Sequence, residues 1–127
     1  MKLEPLRQLL LKKAGATEET PFGPEALVYK VMGKMFALIA WEDNPLRITL
    51  KCDPNLALAL RDLYPAVIPG YHMNKKHWNT IILDDSVPEK QFLDLIDESY
   101  DLVVKGLKKA DRERLERKTV FSKWSAT

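Results

Sequence analysis

Residues 26–52, ALVYKVMGKMFALIAWEDNPLRITLKC, contain two apolar runs, Ala26–Met32 and Met35–Trp41, separated only by Gly33-Lys34. Both runs are rich in strand formers, and a two-residue loop with glycine first predicts a hairpin closed by a type II′ turn. Asp43-Asn44-Pro45 supplies the next turn. Leu46–Cys52 then alternates apolar and polar residues as a third strand. Strands joined in sequence by such short turns pair antiparallel, so the stretch is a meander. Alternation puts Leu46, Ile48 and Leu50 on one face and Arg47, Thr49 and Lys51 on the other. Leu27, Tyr29 and Val31 oppose Val28 and Lys30 in the same way. The apolar sets belong against helices, which brings Lys30, Arg47 and Lys51 together on the opposite face.

Upstream, Leu3, Leu6 and Leu10 recur at helical spacing before Gly15, which predicts a short amphipathic helix over 3–14. Thr20-Pro21-Phe22-Gly23-Pro24 then breaks regular structure. Downstream, Asp53-Pro54 supplies an N-cap with proline at the first helical position. Leu56, Leu60 and Leu63 line one face of the helix it opens, which ends at Tyr64-Pro65. Residues 66–73, with Pro69-Gly70, read as an irregular strand or loop, and His77–Leu83 as a strand ending at Asp84-Asp85. Ser86-Val87-Pro88-Glu89 has the form of a capping box opening the longest helix. Its Phe92, Leu95, Ile96, Ser99, Val103 and Leu107 form a buried stripe that Gly106 terminates. A short helix over 110–118 and a loose tail over 119–127 complete the chain. The element order predicts an α+β domain over 1–109, an antiparallel sheet with helices packed on one face, followed by a basic extension over 110–127.

Of the 127 residues 46% are apolar and 30% charged, which suits one globular domain with a core of its own. No apolar run approaches the roughly 18 residues that a membrane span needs. Met1-Lys2-Leu3-Glu4-Pro5 lacks the apolar stretch of a secretory signal, so a cytoplasmic location without a membrane partner is expected. The single cysteine, Cys52, excludes an internal disulfide and any multi-cysteine metal site. Beside Asp53 at the end of an apolar strand, it reads as a buried structural thiol. His72 and His77 match no zinc spacing, although either could meet Cys52 in space. Glycine-rich phosphate loops, nucleophile elbows and metalloprotease motifs are absent from the sequence. The residues therefore predict a non-enzymatic protein without a metal or other cofactor.

The 20 Lys and Arg against 18 Asp and Glu leave a net charge of +2, which divides into +2 over 1–40, −5 over 41–104 and +5 over 105–127. A basic C-terminal end attracts phosphate, and it equally suits a solvated helix terminus. The segment Pro69–Asn79, PGYHMNKKHWN, gathers both histidines, a lysine pair, a tyrosine and a tryptophan. One reading is a loop that delivers Lys75 and Lys76 to an anion, with Tyr71, His72, His77 or Trp78 packing on a sugar or base. The other is an irregular connection that Tyr71 and Trp78 anchor to the core. Periodicity leaves open whether His77, Asn79 and Ile81 or Trp78, Thr80 and Ile82 face the helices.

PFGPEALVYKVMGKMFAL (Pro21–Leu38), LKCDP (Leu50–Pro54), YPAVIPGYHMNKKHWNT (Tyr64–Thr80) and SYDLV (Ser99–Val103) resemble the MmcQ/YjbR family of small bacterial proteins, over about residues 1–107. The resemblance implies a frataxin/CyaY-like fold, likened to a double-wing nucleic-acid-binding domain, with DNA as partner. On matching positions it implies contact roles for Lys30, Lys51, Tyr71, His72, Asn74, Lys75, Lys76, His77 and Trp78; strand alternation adds Arg47. Iron binding of the frataxin kind is not expected, since the first helix carries only Glu4, with Glu18 and Glu19 beyond it. The resulting expectation is a non-enzymatic DNA-binding protein that contacts phosphates through a basic sheet face and the Tyr71–Trp78 segment. The alternatives are a protein-interaction module that docks a partner or forms a homodimer through a patch at Trp78 or Trp41, and a small-ligand site lined by Tyr71, His72, His77 and Cys52.

Overall fold

The computed structural model describes residues 1–70 and 73–125, with side chains as far as Arg117. α1 (Leu3–Leu11) buries Leu6 and Leu10 completely, as the leucine spacing requires. The chain then forms β1 (Ala16–Glu19), which pairs antiparallel with β2 (Ala26–Val31). This strand is absent from the sequence reading. Its four residues lie at the sheet edge and include two glutamates, so it shows no apolar alternation, and its pairing with β2 defines it.

β3 (Lys34–Ala40) follows β2 as expected, but through a different turn. The pair Val31↔Lys34 closes the loop around Met32 and Gly33, whose φ angles are 48° and 79°. Positive φ at both central residues is the type I′ geometry, whose twist matches the strands; the expected type II′ turn on Gly33-Lys34 does not form. β4 (Arg47–Lys51) completes the meander. The Asp53 carboxylate accepts from the Asn55 and Leu56 N–H groups and caps α2 (Pro54–Leu63), as its sequence signal promised. β5 (Val67–Pro69) and β6 (Trp78–Ile82) form a second hairpin, with β6 inserted beside β4. The result is a six-stranded antiparallel sheet in the order β1-β2-β3-β4-β6-β5.

α3 (Glu89–Lys105) crosses this sheet and buries Phe92, Leu95, Ile96, Ser99 and Val103. The expected capping box is not formed. The Ser86 hydroxyl and N–H both donate to Asp84 Oδ1, at 2.5 and 3.0 Å, and Pro88 holds the position before the helix. A residue ahead of proline disfavours helical backbone, so Val87 cannot open a helix begun at Ser86. α4 (Lys109–Ser125) is one continuous helix where a short helix and a loose tail were expected. The stretch Lys109–Lys118 holds Lys, Arg, Glu, Leu and Ala without glycine or proline, which carries the helix onward. No helix among the described residues is long and apolar enough to cross a membrane.

The sheet's core face presents Tyr29, Ala37, Ile39, Ile48, Leu50, Val67 and Ile81 to the helices, each buried. The register between β2 and β3 shifts after Tyr29, and the extra residue, Phe36, turns its ring into the core. There it meets Tyr100 of α3 edge-on at 5.3 Å. Ser99, also on α3, donates its hydroxyl to the Phe36 carbonyl at 2.6 Å and accepts the Lys51 N–H at 2.8 Å. One buried hydroxyl thus joins α3 to the bulge in β3 and to the end of β4.

Candidate functional site

Strand register assigns the other face of the sheet. One row runs Glu19, Val28, Leu38, Thr49, Thr80 and Ile68; beside it, Ala26, Ala40, Arg47 and Ile82 form a second. Lys51 pairs with Trp78, and Lys30 with Met35, in the direction of the β2–β3 turn. The question that periodicity left open is settled: Trp78, Thr80 and Ile82 share the face of Lys51, while Asn79 and Ile81 point to the core. Lys30, Arg47 and Lys51 do share this outer face. Its centre, however, is uncharged, with Val28 and the hydrogen-bonded pair Thr49–Thr80, whose hydroxyls lie 2.8 Å apart, all buried.

The expected cations divide into two groups. Lys30 Nζ lies 3.4 Å from Glu19, and Arg47 Nε lies 3.7 Å from Asp43, so each has a carboxylate partner. Arg47 also lies four residues along β4 from Lys51, roughly 13 Å away at the opposite end of the sheet. Lys51, Lys75 and Lys76 make no ion pair with a described residue, and neither does Lys34, which the sequence reading used only as part of a turn. All four lie toward one end of the sheet, where the β2–β3 turn, the end of β4 and the β5–β6 loop are found.

The loop is built by its own polar residues. Asn74 Oδ1 accepts the Lys76 N–H at 3.0 Å, an Asx turn that leaves Lys75 and Lys76 exposed. The His77 N–H donates to the Asn74 carbonyl at 3.1 Å, and the His77 carbonyl accepts the Cys52 N–H at 2.7 Å. Asn74 and His77 therefore shape the turn and join it to β4. Gly70 approaches Trp78 so closely that a Cβ there would lie 2.8 Å from Trp78 Cβ, which explains a small residue at this crossing. Tyr71 and His72 lie outside the described residues.

Arg61, on α2, holds the loop from beneath. Its Nε donates to Asn79 Oδ1 at 2.7 Å, and its Nη2 donates to the Lys75 carbonyl and, at 3.4 Å, to the Trp78 carbonyl. Asn79 in turn donates to the Ala57 carbonyl at 3.2 Å, fixing β6 to α2. Sequence reasoning missed Arg61 and Asn79 because each is a single polar residue on an element whose apolar pattern already explained it.

Cys52 is buried, as expected, and burial together with the nearby Glu98 and Asp53 carboxylates pushes its thiol up to about 12. It lines an internal void of only about 10 Å³, so its surroundings provide neither a thiolate nor room for a ligand. A separate cleft of about 600 Å³ lies between α1 and Trp41. Phe22 is 70% exposed, and Trp41 is 36% exposed with its Nε1 donating to the Pro24 carbonyl at 2.6 Å. Arg7 at the cleft wall donates twice to Glu18, at 2.9 and 2.7 Å, and holds that carboxyl below its ordinary range. On the helix side, α3 turns Asp94, Asp97, Glu98 and Asp101 along one groove. One face of α3 is therefore acidic, although Lys105 also lines the groove, while the four lysines at the sheet end make no ion pair with a described residue.

Comparison with known proteins places these features in a family. The YjbR family model matches residues 11–102. Uncharacterized protein YbdF of Escherichia coli O157:H7 is 44% identical over 95 residues, 75% of this chain and 78% of that protein. Uncharacterized protein YjbR of Escherichia coli strain K12 is 35% identical over 115 residues, 91% of this chain and 98% of that protein. The crystal structure of Deinococcus radiodurans protein DR2400 superposes with a TM-score of 0.84 at 40% identity, covering 91% of this chain and 88% of that one. The matched span runs from the end of α1 to the last turn of α3 and includes the whole sheet and the lysine-bearing loop. On this match, which covers well over half its residues, the chain belongs to the YjbR family.

Proposed function

We propose that this protein is a non-enzymatic DNA-binding domain of frataxin/CyaY-like, double-wing architecture, whose phosphate contacts come from one end of the sheet. The architectural part rests on the order of elements and on helices gathered over one face of an antiparallel sheet. The functional part rests on one observation: at that end Lys34, Lys51, Lys75 and Lys76 make no ion pair with a described residue, while Lys30 near the same end pairs with Glu19 and Arg47 at the opposite end with Asp43. Cations without partners gain most from a phosphate, because no existing ion pair must be broken. Trp78, half-buried beside Lys51, offers a ring edge for a sugar or base. The acidic groove on α3 repels the same polyanion and orients it toward the lysines.

The four lysine contacts contribute about −3.6 to the slope of log affinity against log salt, since each contributes about −0.9 on duplex DNA. Fluorescence anisotropy with a labelled duplex at several salt concentrations reads this slope. Absence of binding below about 100 µM at 50 mM salt overturns the proposal, because non-specific binders generally exceed that affinity.

A further inference from the structure

The basic helix α4 stands at the same end of the sheet. Leu115 is buried, and its Cδ1 comes within 2.7 Å of the position a Cβ on Gly15 would occupy; Val31 Cγ2 is 3.8 Å from that position. Gly15 directly precedes β1, whose Ala16 pairs with Val31, and Val31 pairs with Lys34 across the turn. The Leu115 contact therefore seats α4 beside the β2–β3 turn. α3 delivers it there, since Ser99 and Tyr100 near the end of α3 bond to the Phe36 and Ala14 carbonyls.

From this contact, we infer that α4 is a second phosphate-binding element, which extends the lysine rim on its β1 side and forms one continuous interface for duplex DNA. The inference rests on the DNA-binding reading above and specifies how the partner is spanned. Six strands at about 4.8 Å spacing make the sheet end roughly 24 Å wide. The β5–β6 loop with Lys75 and Lys76 lies at one side of that width and α4 at the other. Such a span corresponds to about seven base pairs at 3.4 Å per step along one strand.

Charge supports the assignment. Lys108, Lys109, Arg112, Arg114 and Arg117 are all exposed, against Asp111, Glu113 and Glu116 on the same stretch. Only Arg114 has a described ion-pair partner, Asp111 at 3.8 Å. After Glu116 the sequence contains Arg117, Lys118 and Lys123 and no acid. The helix therefore becomes more basic with distance from its anchor. It lacks the apolar stripe of a core helix, and the anchor at Leu115 fixes its first half while leaving Lys109, Arg112, Arg114 and Arg117 exposed.

The test replaces Arg112, Arg114 and Arg117 together by glutamine in the full chain, with circular dichroism to verify the helix. Glutamine keeps helix propensity, so charge alone is removed. The variant is expected to bind a 12-base-pair duplex at 50 mM salt at least tenfold more weakly, with a slope shallower by about 1.8 to 2.7, equivalent to two or three lost contacts. An unchanged slope, in a protein whose wild type binds and whose Lys75→Ala/Lys76→Ala variant loses slope, overturns the role of α4 and leaves the DNA-binding reading standing. A wild type that does not bind the duplex overturns both. Phosphatidylserine vesicles form the competing arm: loss of vesicle binding with duplex binding intact reassigns α4 to an anionic membrane and overturns the inference.

Discussion

Ser99→Ala is expected to lower the free energy of unfolding by about 2–4 kcal/mol, because it leaves two backbone groups without partners in a dry interior. The Ser99 side chain is fully buried, donates to the Phe36 carbonyl and accepts the Lys51 N–H. Phe36 occupies the β3 bulge, so no neighbouring strand replaces the lost donor in the regular ladder. Alanine removes only one oxygen from a well-packed site, which leaves too little space for water to substitute. Urea unfolding followed by circular dichroism measures the loss, and the melting temperature should fall by roughly 10 °C. Ser86→Ala is the control. That hydroxyl is exposed and among the described residues bonds only to Asp84, so its removal should change stability by no more than about 0.5 kcal/mol. Equal effects from the two substitutions would contradict the bridging role of Ser99.

The second large effect concerns binding. In Lys51→Ala/Lys75→Ala/Lys76→Ala, three of the four proposed lysine contacts are gone, so the salt slope should become shallower by about 2.7. Between 50 and 200 mM salt the duplex affinity of the variant should therefore fall about 40-fold less than that of the wild type. The fold should survive, since Lys75 and Lys76 are exposed and Lys51 is tied to Ser99 through its main chain. Lys30→Ala serves as comparison. Its side chain already pairs with Glu19, so its removal should leave the slope nearly unchanged. A Lys30 effect as large as that of Lys75 would contradict the choice of contacts by the absence of an ion pair.

Much of this architecture was legible in the sequence because it depends on periodicity. The apolar alternation of Leu46–Cys52 and the Asp53-Pro54 cap each have a local cause that the structure reproduces. What escaped depends on contacts between distant residues. β1 is strand only through its pairing with β2, and the side of Trp78 became known only from its register with Lys51. Met32 adopts positive φ because the twist of two strands demands it, a cost invisible in the residue itself. Ser86 resembled a cap, and Asp84 two residues earlier captured its hydroxyl.

The candidate site divides along the same line. The lysine pair and Trp78 were evident as a cluster of residue types within one segment. Their neutralisation state was not: Glu19 lies eleven residues before Lys30 and reaches it across the β1–β2 pairing. Asn74 and His77 belong to the segment for a structural reason, the Asx turn and the bond to Cys52, which residue type alone does not distinguish from contact with a partner. Arg61 enters from α2, fourteen residues before the loop carbonyl that it binds.

The most direct measurement is a titration of the isotope-labelled protein with a short duplex, followed by backbone amide chemical shifts in solution. DNA binding as proposed predicts shifts, reversed by added salt, concentrated at Lys34, Lys51, Lys75–Trp78 and Arg112–Arg117, with the amides of Asp94–Asp101 on the acidic face of α3 unmoved. Shifts confined to the cleft beside Trp41, or none at millimolar DNA and 50 mM salt, would contradict it.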